Sequence, residues 1–162
     1  MSRRDEILLM DNVTLAAVCQ FEFFKGSGPG GQKRNKTSSA VRVKLPEFDI
    51  SASDCTERSQ HRNRDNALNK LKIAIALQFR EEPLETAPES WECSIHSPHF
   101  PLFAAQMLDL LSSCNFNHQA AAEKWGKSQT SFLKKLFRVP EVWQFVQKER
   151  ELNGLPKLRP PA

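Results

Sequence analysis

The stretch VCQFEFFKGSGPGGQKRNKTSSAVRVKL, Val18 to Leu45, decides how this chain is read. Its first part, Val18–Phe24, alternates loosely and is rich in aromatic residues, which predicts a strand. Its last part, Ala40–Leu45, sets Val41 and Val43 against Arg42 and Lys44, the period-two pattern of a half-solvated strand. Between them, Lys25–Gln32 holds four glycines and one proline in eight residues, a composition that fits neither helix nor strand. The polar run Arg34–Ser39 is expected to add one or two helical turns. Strand, glycine loop and strand therefore form the nucleus of the fold.

Working outward, Pro46–Asp49 reads as a turn and Ile50–Ser53 as a short return strand. A helix is predicted from about Arg58 to Phe79, because Ala67, Leu68, Leu71, Ala74 and Ile75 make one apolar stripe. Upstream, residues 4–17 are expected to form a short helix with Ile7, Leu8, Met10, Val13 and Leu15 as apolar positions. The result is an α+β unit over residues 1–80, a small mixed sheet packed on a long helix. Residues 81–100 carry five glutamates, Pro83, Pro88 and Pro98 and no lysine or arginine, which predicts an acidic linker. From Pro101 the pattern turns helical, since proline suits a first turn. Leu102, Phe103, Met107, Leu110 and Leu111 mark its apolar face. A second helix runs from Asn117 to Gly126. A third is capped by Ser128 and carries Phe132, Leu133, Leu136 and Phe137. Pro140 opens a fourth with Trp143 and Val146. Residues 101–152 thus make a small all-α, helix-turn-helix-like domain, and 153–162 a proline-rich tail.

The formal net charge of the 162 residues is +4, but its distribution matters more. Residues 25–44 hold six basic residues (Lys25, Lys33, Arg34, Lys36, Arg42 and Lys44) and no acid. Such clustering is the electrostatic footprint of nucleic-acid binding. The four cysteines are scattered without a C-x-x-C pair, the pattern of reduced thiols. No apolar run approaches a membrane span, and no signal sequence is legible at Met1. A cytoplasmic protein without a membrane partner is expected.

Gly28-Pro-Gly30-Gly31-Gln32-x-x-Asn35-Lys36-Thr37 resembles the catalytic loop of class I peptide chain release factors and their short rescue relatives. Arg58-Ser59-Gln60-x-x-Asn63-Arg64-x-x-Ala67 is similar to the start of the long helix in the same domain. Two motifs in the right order make the resemblance specific over residues 18–80, where a lone Gly-Gly-Gln would not. The resemblance implies that Gly30, Gly31 and Gln32 are catalytic in hydrolysis of the peptidyl-tRNA ester. Adjacent glycines let the backbone enter a crowded RNA cavity and adopt torsions closed to residues with Cβ. The Gln32 backbone N–H is then a donor to the developing oxyanion. The Gln32 amide is neutral and is no general base; its side chain helps place the water. The remaining groups come from ribosomal RNA and tRNA, so no metal or cofactor is expected.

Lys25, Ser27, Gly28, Lys33, Arg34, Asn35 and Lys36 are candidate RNA contacts around the loop. Arg58, Gln60, Asn63 and Arg64 are open to three readings: contact with RNA, support of the loop, or capping of the helix start. Lys127, Lys134, Lys135 and Arg138 lie on or near the third helix of the C-terminal half. They fit either a docking helix for nucleic acid or the surface of a small bundle that covers the catalytic domain or serves a protein contact. Cys93, His96, His99 and Cys114 have a weak zinc-like spacing and read better as cysteines and histidines without metal. The last 15 residues are not basic enough for a tail that fills an empty mRNA channel. Release factors of full length add a helical domain and a codon-reading domain, for which these residues leave no room. The expected function is codon-independent hydrolysis of peptidyl-tRNA in the peptidyl-transferase centre, in rescue of stalled ribosomes, by a monomer whose partner is the ribosome. The alternatives are a non-catalytic RNA-binding quality-control protein and a helix-turn-helix regulator that binds DNA.

Overall fold

A computed structural model of the chain describes residues 1–25 and 39–162. The expectations for Ser27, Gly28, Gly30, Gly31, Gln32, Lys33, Arg34, Asn35 and Lys36, and for helical turns before Ser39, lie outside the described residues. The chain divides into two compact units, Met1–Ile75 and Ala76–Ala162.

The first unit opens with two helices, α1 (Arg3–Leu9) and α2 (Asn12–Ala17), where the sequence predicts one. The break has a local cause. Met10 is extended, and the Asp11 carboxylate accepts the Thr14 N–H at 2.8 Å, capping a new helix. That hydrogen bond holds the Asp11 carboxyl below its ordinary range. Lys72, largely buried, donates its ammonium to the Met10 carbonyl left free at the break. Val13, expected among the apolar positions, is exposed, whereas Ile7, Leu8 and Leu15 are buried.

Three strands follow, β1 (Gln20–Phe24), β2 (Ala40–Leu45) and β3 (Ile50–Asp54), in an antiparallel sheet of order β1-β2-β3. Phe24 pairs with Ala40 and Leu45 with Ile50. The β2–β3 turn is a short 3-10 segment, Pro46–Phe48, closed by Asp49 in the left-handed region at φ 49°. Alternation sorts the faces. Phe21, Phe23, Val41, Val43 and Ala52 share one face; Glu22, Phe24, Arg42, Lys44 and Ser51 share the other. Helix α3 (Gln60–Gln78) carries the buried stripe Ala67, Leu68, Leu71 and Ile75. Asp54, at the end of β3, is bonded to two α3 side chains, Lys70 Nζ at 2.6 Å and Asn66 Nδ2 at 3.1 Å. Thr56 Oγ1 adds a third hydrogen bond at 2.8 Å. Burial pushes this carboxyl up, but the three hydrogen bonds outweigh it and leave the pKa below the ordinary value.

The second unit has four helices after the end of α3: α4 (Phe100–Ser113), α5 (His118–Lys124), α6 (Gln129–Phe137) and α7 (Pro140–Leu152). Ser128 caps α6, its Oγ accepting the Ser131 N–H at 3.1 Å, and Gly126 makes the preceding turn at φ +66°. The acidic segment before α4 is anchored within this unit. Glu81 N–H donates to Asp109, and Trp125 Nε1 donates to the Leu84 carbonyl at 3.0 Å. Glu89–Glu92 forms a 3-10 turn that buries Trp91. The Trp91 ring meets Phe103, Trp125 and Phe132 at centroid distances of 5.9, 6.3 and 6.2 Å. The proline-rich tail also has fixed partners on α7. The Gln147 amide exchanges two hydrogen bonds with the Leu158 backbone, and the buried Arg150 donates to the carbonyls of Pro156 and Phe116. Among the described residues, no helix is long and apolar enough to cross a membrane.

Candidate active site at the root of the glycine loop

The segment of sequence that holds Gly30, Gly31 and Gln32 lies between Phe24 and Ala40, two residues paired across neighbouring antiparallel strands. Both ends of the segment are therefore fixed by one rung of the sheet. Beside that rung lies Asn63, fully buried in the first turn of α3. Its Nδ2 donates to the Ser39 carbonyl at 2.7 Å and to the Glu57 carbonyl at 2.9 Å. Its Oδ1 accepts the Glu57 N–H at 2.9 Å. One amide thus uses both donors and its acceptor to join the C-terminal root of the loop to the turn that starts α3.

Its neighbours are more exposed. Lys25, directly after β1, is exposed, as are Arg58 and Gln60. Arg64 lies over the Phe21 ring, with Cζ 4.9 Å from the centroid. Phe21 in turn stacks on Phe23 at 6.2 Å with the rings 7° from parallel. On the other face of the sheet, Arg42 covers Phe24 at 5.1 Å and pairs with Glu22 at 3.2 Å. Each face of the sheet near the root thus carries one cation over an aromatic ring. Of the four helix-start residues, Asn63 makes a bracing contact and Arg64 has an aromatic partner, while Arg58 and Gln60 are exposed. Phe21 and Phe23 carry no motif in the sequence. The only available sign was an aromatic-rich strand beside a basic run.

In the second unit the cations near the third predicted helix are engaged with the acidic segment. Lys127 Nζ and Lys135 Nζ lie 4.8 and 5.4 Å from the Trp91 ring centroid. Lys135 also pairs with Glu92 at 3.2 Å, and Arg138 donates to the Cys93 carbonyl at 2.8 Å. Lys134 is exposed. Among the described residues, no three His, Cys, Asp or Glu side chains gather as a metal site.

A three-stranded antiparallel sheet with a glycine loop rooted between its first two strands, braced from a long helix, places the chain in a defined class. The chain belongs to the RF-1 domain family, whose model matches residues 14–96. It is similar to peptide chain release factor 1 of Salinibacter ruber (strain DSM 13855 / M31), 44% identical over 61 residues, 38% of this chain and 17% of that protein. It is also similar to peptide chain release factor 1 of Xylella fastidiosa (strain 9a5c), 45% identical over 66 residues, 41% of this chain and 18% of that protein. The chain therefore spans less than a fifth of the length of these relatives.

Proposed function

We propose that this protein hydrolyses the ester bond of peptidyl-tRNA in the ribosomal peptidyl-transferase centre, without reading a stop codon, in rescue of stalled ribosomes. The observation that carries this reading is the match of residues 14–96 to the RF-1 domain, which takes in the glycine loop and the Asn63 brace together. The ester is already activated, so the protein's task is to place a water and stabilise the oxyanion. The Gln32 backbone N–H supplies the donor, and removal of such a donor costs roughly 3–4 kcal/mol of transition-state stabilisation. The Gln32 side chain positions the water and keeps larger nucleophiles out. Lys25, Lys33, Arg34 and Lys36 neutralise RNA phosphates as the loop enters. Asn63 holds the loop root, and Arg58, Gln60 and Arg64 lie on the RNA side of the same helix start. Ribosomes carrying labelled peptidyl-tRNA, with and without a stop codon, are mixed with the protein. Equal release on both supports rescue; release only with a stop codon overturns it.

The helical unit is assigned to docking on the ribosome. The contacts of Lys127, Lys135 and Arg138 with Trp91, Glu92 and Cys93 support a structural role for those three residues, and Lys134 is the cation of the set offered to a partner.

A further inference from the structure

We propose that Phe23 is a stacking platform for an unpaired nucleobase of ribosomal RNA, engaged as the glycine loop enters the ribosome; this rests on the ribosomal reading above. Phe23, on the edge strand β1, is 46% exposed. Its ring continues a row. Arg64 covers Phe21 at 4.9 Å, and Phe21 stacks on Phe23 in a near-parallel arrangement. A base set on Phe23 would extend this row by one member. Lys25, exposed, stands two residues further on, and Arg64 closes the other end of the row. An exposed aromatic ring with positive charge beside it is the pairing that holds single-stranded RNA, because every base has a face to stack and a phosphate to neutralise.

The plainer account is that an aromatic residue suits an edge strand and pairs well with Val41 opposite it. That account asks only for an apolar, β-favouring side chain, so leucine would serve nearly as well. Stacking asks for a ring. The two accounts therefore separate on Phe23→Leu.

The test uses the full chain carrying Gln32→Ala, so that the ester stays intact, and measures binding to ribosomes with P-site peptidyl-tRNA by co-sedimentation. Phe23→Leu and Phe23→Ala are expected to weaken binding about tenfold or more, and Phe23→Trp to hold it within about threefold. Thermal unfolding of the Leu and Trp variants should match the parent. Phe23→p-benzoylphenylalanine should crosslink to ribosomal RNA on irradiation. Parent-like binding by Phe23→Leu, or a crosslink to ribosomal protein in place of RNA, overturns the proposal. Release by the wild type together with undiminished binding of Phe23→Leu sinks the stacking and leaves the hydrolase standing. Absence of release by the wild type, with a tenfold loss in Phe23→Leu, does the reverse.

Discussion

Asn63 shows how a single side chain can fix the backbone where a strand begins. It is fully buried, and its three hydrogen bonds go to backbone groups of Ser39 and Glu57. Asn63→Ala leaves two carbonyls and one N–H without that partner, and the expected cost is about 2–4 kcal/mol in urea unfolding. Asn63→Asp keeps the acceptor for Glu57 N–H but brings a negative charge against two carbonyls, so it should be no better. On the proposed function, peptidyl-tRNA release by Asn63→Ala should fall even at temperatures where the variant stays folded. The spacing of the second motif marks Asn63 in the sequence. Its partner cannot be read there, because a backbone carbonyl leaves no trace in residue type. Phe23 is the converse case: its exposure depends on which strands flank β1, and no local pattern reports that.

Between elements, Asp54 joins β3 to α3. Its carboxyl is held below the ordinary aspartate value of about 3.9 by Lys70, Thr56 and Asn66 against the opposing effect of burial. A depressed native pKa stabilises the fold fully above the unfolded value, and this contribution is lost as pH falls through the native value. The denaturation midpoint should therefore drop below about pH 4, and Asp54→Asn should flatten that acid limb while lowering stability at neutral pH. In the second unit, Trp91→Ala removes the ring shared by Phe103, Trp125 and Phe132 and should cost about 3–5 kcal/mol, seen as loss of near-UV circular dichroism and a lower unfolding temperature. The elements were legible to different degrees. Alternation gives β2 with its observed bounds, Ala40–Leu45, and the helix start at Asn117 and the cap Ser128 place α5 and α6. The break between α1 and α2 is not apparent from apolar spacing, which is irregular there. Asp11 three residues before Thr14 was the sign of it. In the acidic segment, glutamate and proline suggest a linker, yet a lone tryptophan among them turns out to be the anchor.

At the scale of the whole molecule, charge distribution says more than net charge. Residues 25–44 carry the cations on which RNA entry depends in the proposed mechanism. Each phosphate neutralised on a single strand lowers the slope of log affinity against log salt by about 0.7. The joint variant Lys33→Ala, Arg34→Ala, Lys36→Ala should therefore bind ribosomes with a salt slope shallower by about 2. An unchanged slope would remove these residues from the RNA contact. The change in hydrophobic period makes the order of an α+β part followed by a helical part visible in sequence, whereas the boundary between the two compact units falls within α3, between Ile75 and Ala76. The packing of the tail is not, because Leu158 is held by Gln147 through backbone groups and Arg150 by carbonyls. The central claim concerns the loop itself, and release of labelled peptide from ribosomes without a stop codon tests it most directly, comparing the wild type with Gln32→Ala. The account predicts codon-independent release by the wild type and its loss in Gln32→Ala. Release no greater in the wild type than in Gln32→Ala would contradict it.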